Sequence, residues 1–243
     1  MKNVHRTSLM AHGRGEGDRE EPPLSVSVDV GLLTIREGEL AVLLVRRDQE
    51  PFSGLWALPG GFVRRDESVD EAALRQLQEE TNINRVYLEQ LYTFGEPDRD
   101  PRGRVITVSY YAVINWENFR LRARTDGVEA RWFPVHELPR LAFDHRQIIQ
   151  MALERLRNKV NYTTICFQSL PKKFTLSELQ KAYEIILDQR LDKRNFRKKM
   201  LQLHILKDTE EKKADGPQRP AKLYSFTDVK VIKLQEKGII VPF

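Results

Sequence analysis

Two periods of apolar and polar residues run along the chain, and the changes between them mark its elements. From Ser25, the residues Val26, Val28, Val30 and Leu32 recur at every second position, the pattern of a half-buried strand. Arg36-Glu37-Gly38-Glu39 then turns the chain into the continuous apolar run Leu40-Ala41-Val42-Leu43-Leu44-Val45, which predicts a central strand. Beyond Gly54, Trp56 leads into Leu58-Pro59-Gly60-Gly61-Phe62, a tight glycine loop. Ser68 and Glu71 form a capping box, in which each satisfies an amide of the other's turn, so a helix is predicted to start there. Val69, Ala73 and Leu77 at i, i+4 and i+8, with Leu74 beside them, are its expected buried stripe. Strands are predicted from Val86 to Phe94, from Arg104 to Ile114 with Ile106, Val108 and Tyr110 on one face, and from Val128 to Phe133. Asp144 is expected to cap a helix running from His145 to about Asn158, with Ile148, Ile149, Ala152, Leu153 and Leu156 inward. His145 itself reads as structural.

A second capping box, Thr175 with Glu178, opens a helix in which Leu176, Leu179, Tyr183, Ile186 and Leu187 keep helical spacing. Asp192 caps the next segment, where five of the seven residues from Lys193 to Lys199 are basic while Phe196 and Met200 anchor the inner face. Leu203 to Leu206 is expected as a short strand, 207–220 as a charged loop, and Ala221 to Phe226 as a returning strand. Helix, turn, basic helix, strand, loop, strand is the order of a winged helix. Residues 1–23 lack any period and are expected to form a disordered tail. The organisation is therefore α/β: a ligand-binding domain over 24–158, a connector over 159–173 and a winged helix-turn-helix domain over 174–243.

Charge sharpens this division. Residues 161–243 carry 17 Lys and Arg against 10 Asp and Glu, whereas the rest carries 23 against 25. The basic excess belongs to the C-terminal third, which implies an anionic partner there, nucleic acid above all. No apolar run approaches the roughly 18 residues needed to cross a bilayer, no signal-peptide core is present, and Cys166 is alone, which fits a reducing cytoplasm.

The chemistry concentrates on the helix after the glycine loop. Gln76, Glu79 and Glu80 are expected on a face apart from the apolar stripe, and a hard cation such as Mg²⁺ takes carboxylate ligands. Glu129 is a candidate third acid. The alternative is a solvated face on which Arg75 pairs with Glu71 and Glu79. Gly61, Glu67, Arg75, Leu77, Glu79, Glu80 and Ile83 stand at the spacing of the Nudix box, so the stretch resembles that superfamily of hydrolases and binders of diphosphate-linked nucleosides. The resemblance implies a Nudix α/β/α sandwich. It also exposes a departure: hydrolysing members carry Glu where this chain has Gln76, and Gly where it has Asn82. A carboxamide cannot accept a proton, so the resemblance implies binding without turnover and no catalytic residue. Trp56 is expected in the core or against a base. Gly60 and Gly61 with Arg99, Arg102 and Arg104, in the polar loop 95–104, are candidate ligand contacts, because guanidinium groups bind phosphate bidentately and stack on bases. The other reading of that loop is self-paired Asp and Arg. Pro97, fourteen positions after Ile83, resembles the ADP-ribose-directed branch.

A degenerate Nudix box ahead of a basic winged helix is similar to the Nudix-related transcriptional regulators of NAD metabolism. That resemblance implies a homodimeric repressor on palindromic double-stranded operator DNA, with ADP-ribose as its effector. Lys193, Arg194, Asn195 and Arg197 are then expected at base edges, with Lys198 and Lys199 on the same helix. Lys212, Lys213, Arg219 and Lys222 would touch phosphates from the wing. Two alternatives stay open: an active ADP-ribose pyrophosphatase with an accessory basic domain, and a sugar-responsive regulator of the same architecture.

Overall fold

The computed structural model describes residues 23–121, 129–214 and 220–226. Strand β1 (Ser25–Arg36) lies at the centre of the main sheet, antiparallel to β2 (Glu39–Arg46) and parallel to β6 (Val105–Val113). The order β3-β2-β1-β6-β5 places β3 (Trp56–Ala57) and β5 (Glu89–Phe94) at its ends. Two further strands complete it: β4 (Gly60–Phe62) pairs with β1, and β7 (Ala130–Pro134) pairs with β2.

Side chains alternate across a sheet, and here both faces are covered. Val28, Val30, Leu32, Ala41 and Leu43 pack with Ala72, Ala73 and Leu77 of α1 (Val69–Thr81). Leu33, Val42, Leu44 and Tyr111 pack with Ile148, Ile149, Ala152 and Leu156 of α2 (His145–Lys159). The expected half-buried character of β1 is therefore corrected. Its residues from Ser27 to Thr34 are all buried, and the off-phase positions look polar because Asp29 is paired and Gly31 admits Ala152, whose Cβ would meet an added Cβ at 3.6 Å.

Helix α1 starts at the expected capping box and ends with Asn82 in the left-handed region, φ 62°, a conformation Asn adopts more easily than most residues. Two details differ. Leu74 is exposed, lying just past the edge of the buried stripe, and Thr81 is buried instead. Asp144 makes no capping hydrogen bond, because its carboxylate is engaged by Arg99.

The chain leaves α2 through the 3₁₀ turn Ile165–Ser169, in which Ile165, Cys166 and Phe167 are buried. Burial pushes the Cys166 thiol pKa up, so it stays a neutral core group. The same apolar cluster continues into α3 (Leu176–Leu187) and α4 (Lys193–Gln202) through Leu179, Tyr183, Ile186, Phe196 and Met200. Both expected caps are present, Thr175 with Glu178 on α3 and Asp192 accepting from Asn195 on α4. Three short strands order as β8-β10-β9, with β8 Phe174–Thr175, β9 Leu206–Lys213 and β10 Ala221–Phe226. The strand expected at Leu203 to Leu206 thus begins where it was to end. It extends through the charged stretch, because β9 pairs with β10 as an exposed hairpin and needs no apolar face.

Candidate functional site

The glycine loop is held from behind. Val30 N–H donates to Pro59 O at 2.8 Å, Gly60 N–H donates to Glu80 Oε2 at 2.9 Å, and Val28 and Asp29 pair with Gly61 and Gly60. A Cβ on Gly60 would lie 2.3 Å from Val28 O, so only glycine fits. Leu58 N–H donates to His145 Nδ1 at 2.9 Å, which leaves the ring proton on Nε2, 3.3 Å from Asp29 Oδ1. Asp29 Oδ2 also accepts from Thr107 at 2.7 Å. Arg99 donates to both carboxylate oxygens of Asp144, at 2.9 and 2.7 Å, and stands 3.4 Å from Asp29 Oδ2. Burial alone would raise the pKa of Asp29, but His145, Arg99 and Thr107 outweigh it and the net shift is downward. A largely buried ionic network thus joins β1, β6, the loop 95–104 and the start of α2.

The arginine loop divides accordingly. Arg99 is buried and ion-paired on both sides. Arg104 donates to Gly95 O at 2.7 Å. Arg102 holds Asp100 bidentately and lies over the rings of Phe62 at 4.8 Å and Phe143 at 5.5 Å. The other side of this cluster comes from Arg47, 4.8 Å from the Phe143 ring, with Phe52 edge-on to Phe143. Burial, then the charge of Arg102, lowers the Arg47 pKa, against the opposing pull of Asp100, Glu80 and Asp48. Phe62, Phe143 and Arg47 were missed in the sequence. Only the position of Phe62 directly after Gly61 signalled it. Trp56 packs edge-on against Phe133 at 4.6 Å, with Arg131 over its ring at 5.8 Å.

On α1 the three expected polar residues separate. Gln76 and Glu80 are half-buried toward the glycines, and Glu79 is exposed and paired with Arg75 at 3.1 Å and Arg64 at 3.4 Å. Arg75 also donates Nε to Glu67 at 2.7 Å, and this bond holds the Glu67 carboxyl down at about 2. Glu129 is engaged by Arg131 at 2.6 Å and faces Arg46 at 3.9 Å. Among the described residues no group of three or more His, Cys, Asp or Glu is positioned to hold a metal. Glu79, Glu80 and Glu129 are not brought together, and the donor set does not fit a resident Mg²⁺.

At the other end, α4 turns Phe196 and Met200 inward and leaves Lys193, Arg194, Asn195 and Lys198 exposed. Arg197 is half-buried and donates Nη2 to Ser177 Oγ at 3.2 Å, while Lys199 is half-buried at the opposite flank. The wing lysines Lys222 and Lys213 carry acidic partners, Asp208 at 2.8 Å and Glu178 at 2.6 Å, and Glu211 of the wing pairs with Lys173 at 2.5 Å. Lys212 is exposed opposite Lys222 in the hairpin, and Arg219 lies outside the described residues. Among the described residues no helix is long and apolar enough to cross a membrane.

A helix-covered sheet with a glycine loop and the Nudix spacing, fused through one core to a basic winged helix, defines a Nudix-type DNA-binding regulator. Family models agree: the NUDIX domain matches residues 26–152, and the NrtR DNA-binding winged helix domain matches 166–226. The chain belongs to the NrtR family of Nudix-related regulators. It is 38% identical over 209 residues, 84% of this chain and 83% of the relative, to the ADPR responsive transcriptional repressor NtrR of Acinetobacter baylyi. Shewanella oneidensis NrtR complexed with a 27mer DNA matches at TM-score 0.74 and 38% identity, covering 83% of this chain and 93% of that one. The Nudix domain of the same Shewanella protein complexed with ADP ribose matches at TM-score 0.51 and 39% identity, covering 58% and 94%.

Proposed function

We propose that this protein is a cytoplasmic, homodimeric transcriptional repressor that binds palindromic operator DNA through α4 and the wing and releases it when ADP-ribose occupies the Nudix domain. One observation carries the reading. The position at which hydrolysing relatives of the Nudix box hold a carboxylate is the neutral Gln76, in a domain that shares its core with a helix exposing Lys193, Arg194, Asn195 and Lys198.

The effector's diphosphate lies beside Gly60 and Gly61 and is met by Arg47 and by Arg102, the latter exchanging Asp100 for phosphate, and Phe62 and Phe143 offer ring faces to the base. Trp56 and Arg104 border that ligand rather than clamp it. Arg99 serves from behind by fixing the loop. Binding needs no resident metal, and any Mg²⁺ arrives with the diphosphate. The wing residues Lys212, Lys213, Arg219 and Lys222 contact phosphates, with Lys213 and Lys222 exchanging their present acidic partners for DNA.

Helix α2 links the two ends. At its start, His145 and Asp144 hold the glycine loop and the arginine loop, and near its end Arg157 Nε donates to Ile186 O of α3 at 3.2 Å. A ligand that shifts either loop tilts α2 and carries α3 and α4 with it. In a dimer whose recognition helices must sit one DNA turn apart, roughly 34–36 Å, that tilt breaks register. The test is fluorescence anisotropy on duplexes selected from fragmented genomic DNA, at physiological salt. Sequence-specific binding released by ADP-ribose supports the proposal, and absence of specific binding overturns it.

A further inference from the structure

The exposed side of α4 holds more than charge. Buried Phe196 and Met200 fix which side faces the core. At 3.6 residues per turn, Arg194, Lys198 and Leu201 share the opposite side at i, i+4 and i+7, and all three are exposed. Leu201 is 46% exposed, an entirely apolar side chain in line with two cations. Arg197 does not belong to this stripe, since its guanidinium turns to Ser177 on α3.

We infer that Leu201 is a base-reading residue whose side chain meets the C5-methyl group of a thymine in the major groove. This rests on the proposed DNA-binding function. A single exposed leucine elsewhere on a surface needs no explanation. On α4 it stands among Arg194, Asn195, Lys198 and Gln202, so the partner that fits the charge is a polyanion. Helices that lie in the major groove read bases from positions i, i+3, i+4 and i+7. The apolar feature displayed there is the thymine methyl, which aliphatic side chains contact. Seven residues at 1.5 Å rise place Leu201 about 10 Å along the helix from Arg194, on the order of three base-pair steps of about 3.4 Å. The thymine therefore lies within about three pairs of the base that Arg194 meets.

The experiment uses the full chain and its selected operator, with each thymine replaced in turn by deoxyuridine, which removes only the methyl group. At one thymine per half-site the wild type binds about four-fold more weakly after replacement, the effect of one buried carbon. Leu201→Ala binds the thymine and uracil duplexes alike, whereas Leu201→Met keeps the preference for thymine. An unchanged melting temperature for both variants separates lost contact from lost fold. The inference is overturned if no thymine methyl matters, or if Leu201→Ala keeps the same penalty; the regulator reading then stands. Failure of the wild type to select any operator overturns both.

Discussion

A Cβ built on Gly61 would stand 2.3 Å from Gln76 Nε2, so the carboxamide fills the space that this glycine leaves open. The neighbouring glycine meets something harder: at Gly60 the added atom would lie 2.3 Å from Val28 O and 2.6 Å from Asp29 Oδ1. Gly61→Ala is relieved by rotating Gln76 and is expected to cost less than about 1 kcal/mol. Gly60→Ala strikes a central strand and should cost about 2–4 kcal/mol. Urea denaturation of both variants checks the order, and equal losses would contradict this packing.

Gln76 also decides the chemistry. With no carboxylate at that position, wild-type hydrolysis of ADP-ribose should run about 10²–10⁴ below that of Gln76→Glu, the range over which general-base contributions fall. Product release measured with added Mg²⁺ makes the comparison. A wild type as fast as the variant would restore the pyrophosphatase reading.

The Arg75–Glu67 pair sets an acid limit. Because the Arg75 hydrogen bond holds the Glu67 pKa at about 2, below its ordinary 4.5, the stability it contributes is full above about pH 4.5 and is lost as pH falls toward about 2. Melting temperatures of Glu67→Gln across that window should fall less steeply than those of the wild type. Parallel curves would remove Glu67 from the acid response.

Asp144→Ala leaves buried Arg99 with Asp29 alone, 3.4 Å away. Breaking one side of a buried ion pair typically costs about 3 kcal/mol or more, and that loss is expected in chemical denaturation. A variant as stable as the wild type would show that Arg99 finds water where the structure gives it a carboxylate.

Local rules made much of the fold legible. Both capping boxes and the inward Phe196 and Met200 are short-range features, and each appears where the residue pattern puts it. Strand β9 was misjudged because Lys207 to Lys213 lacks an apolar face, and its order comes from backbone pairing to β10. Leu74 was misjudged by a few tens of degrees around α1. The network behind the glycine loop was out of reach for a different reason: it joins residue 29 to residues 99, 107, 144 and 145, and their proximity is set by the parallel pairing of β1 with β6 and the packing of α2. Arg99 therefore read as a ligand contact when the structure buries it, and nothing local in the sequence signals that Arg47 and Phe143 meet Arg102.

The measurement that bears most directly on the central claim is ADP-ribose affinity, taken by calorimetry with the protein free and with it saturated by operator DNA. Linkage requires that if ADP-ribose weakens operator binding by some factor, operator weakens ADP-ribose binding by the same factor. A loss of about 5- to 150-fold is expected, matched by the shift in DNA affinity when ADP-ribose is present. Equal ADP-ribose affinity with and without operator would contradict it.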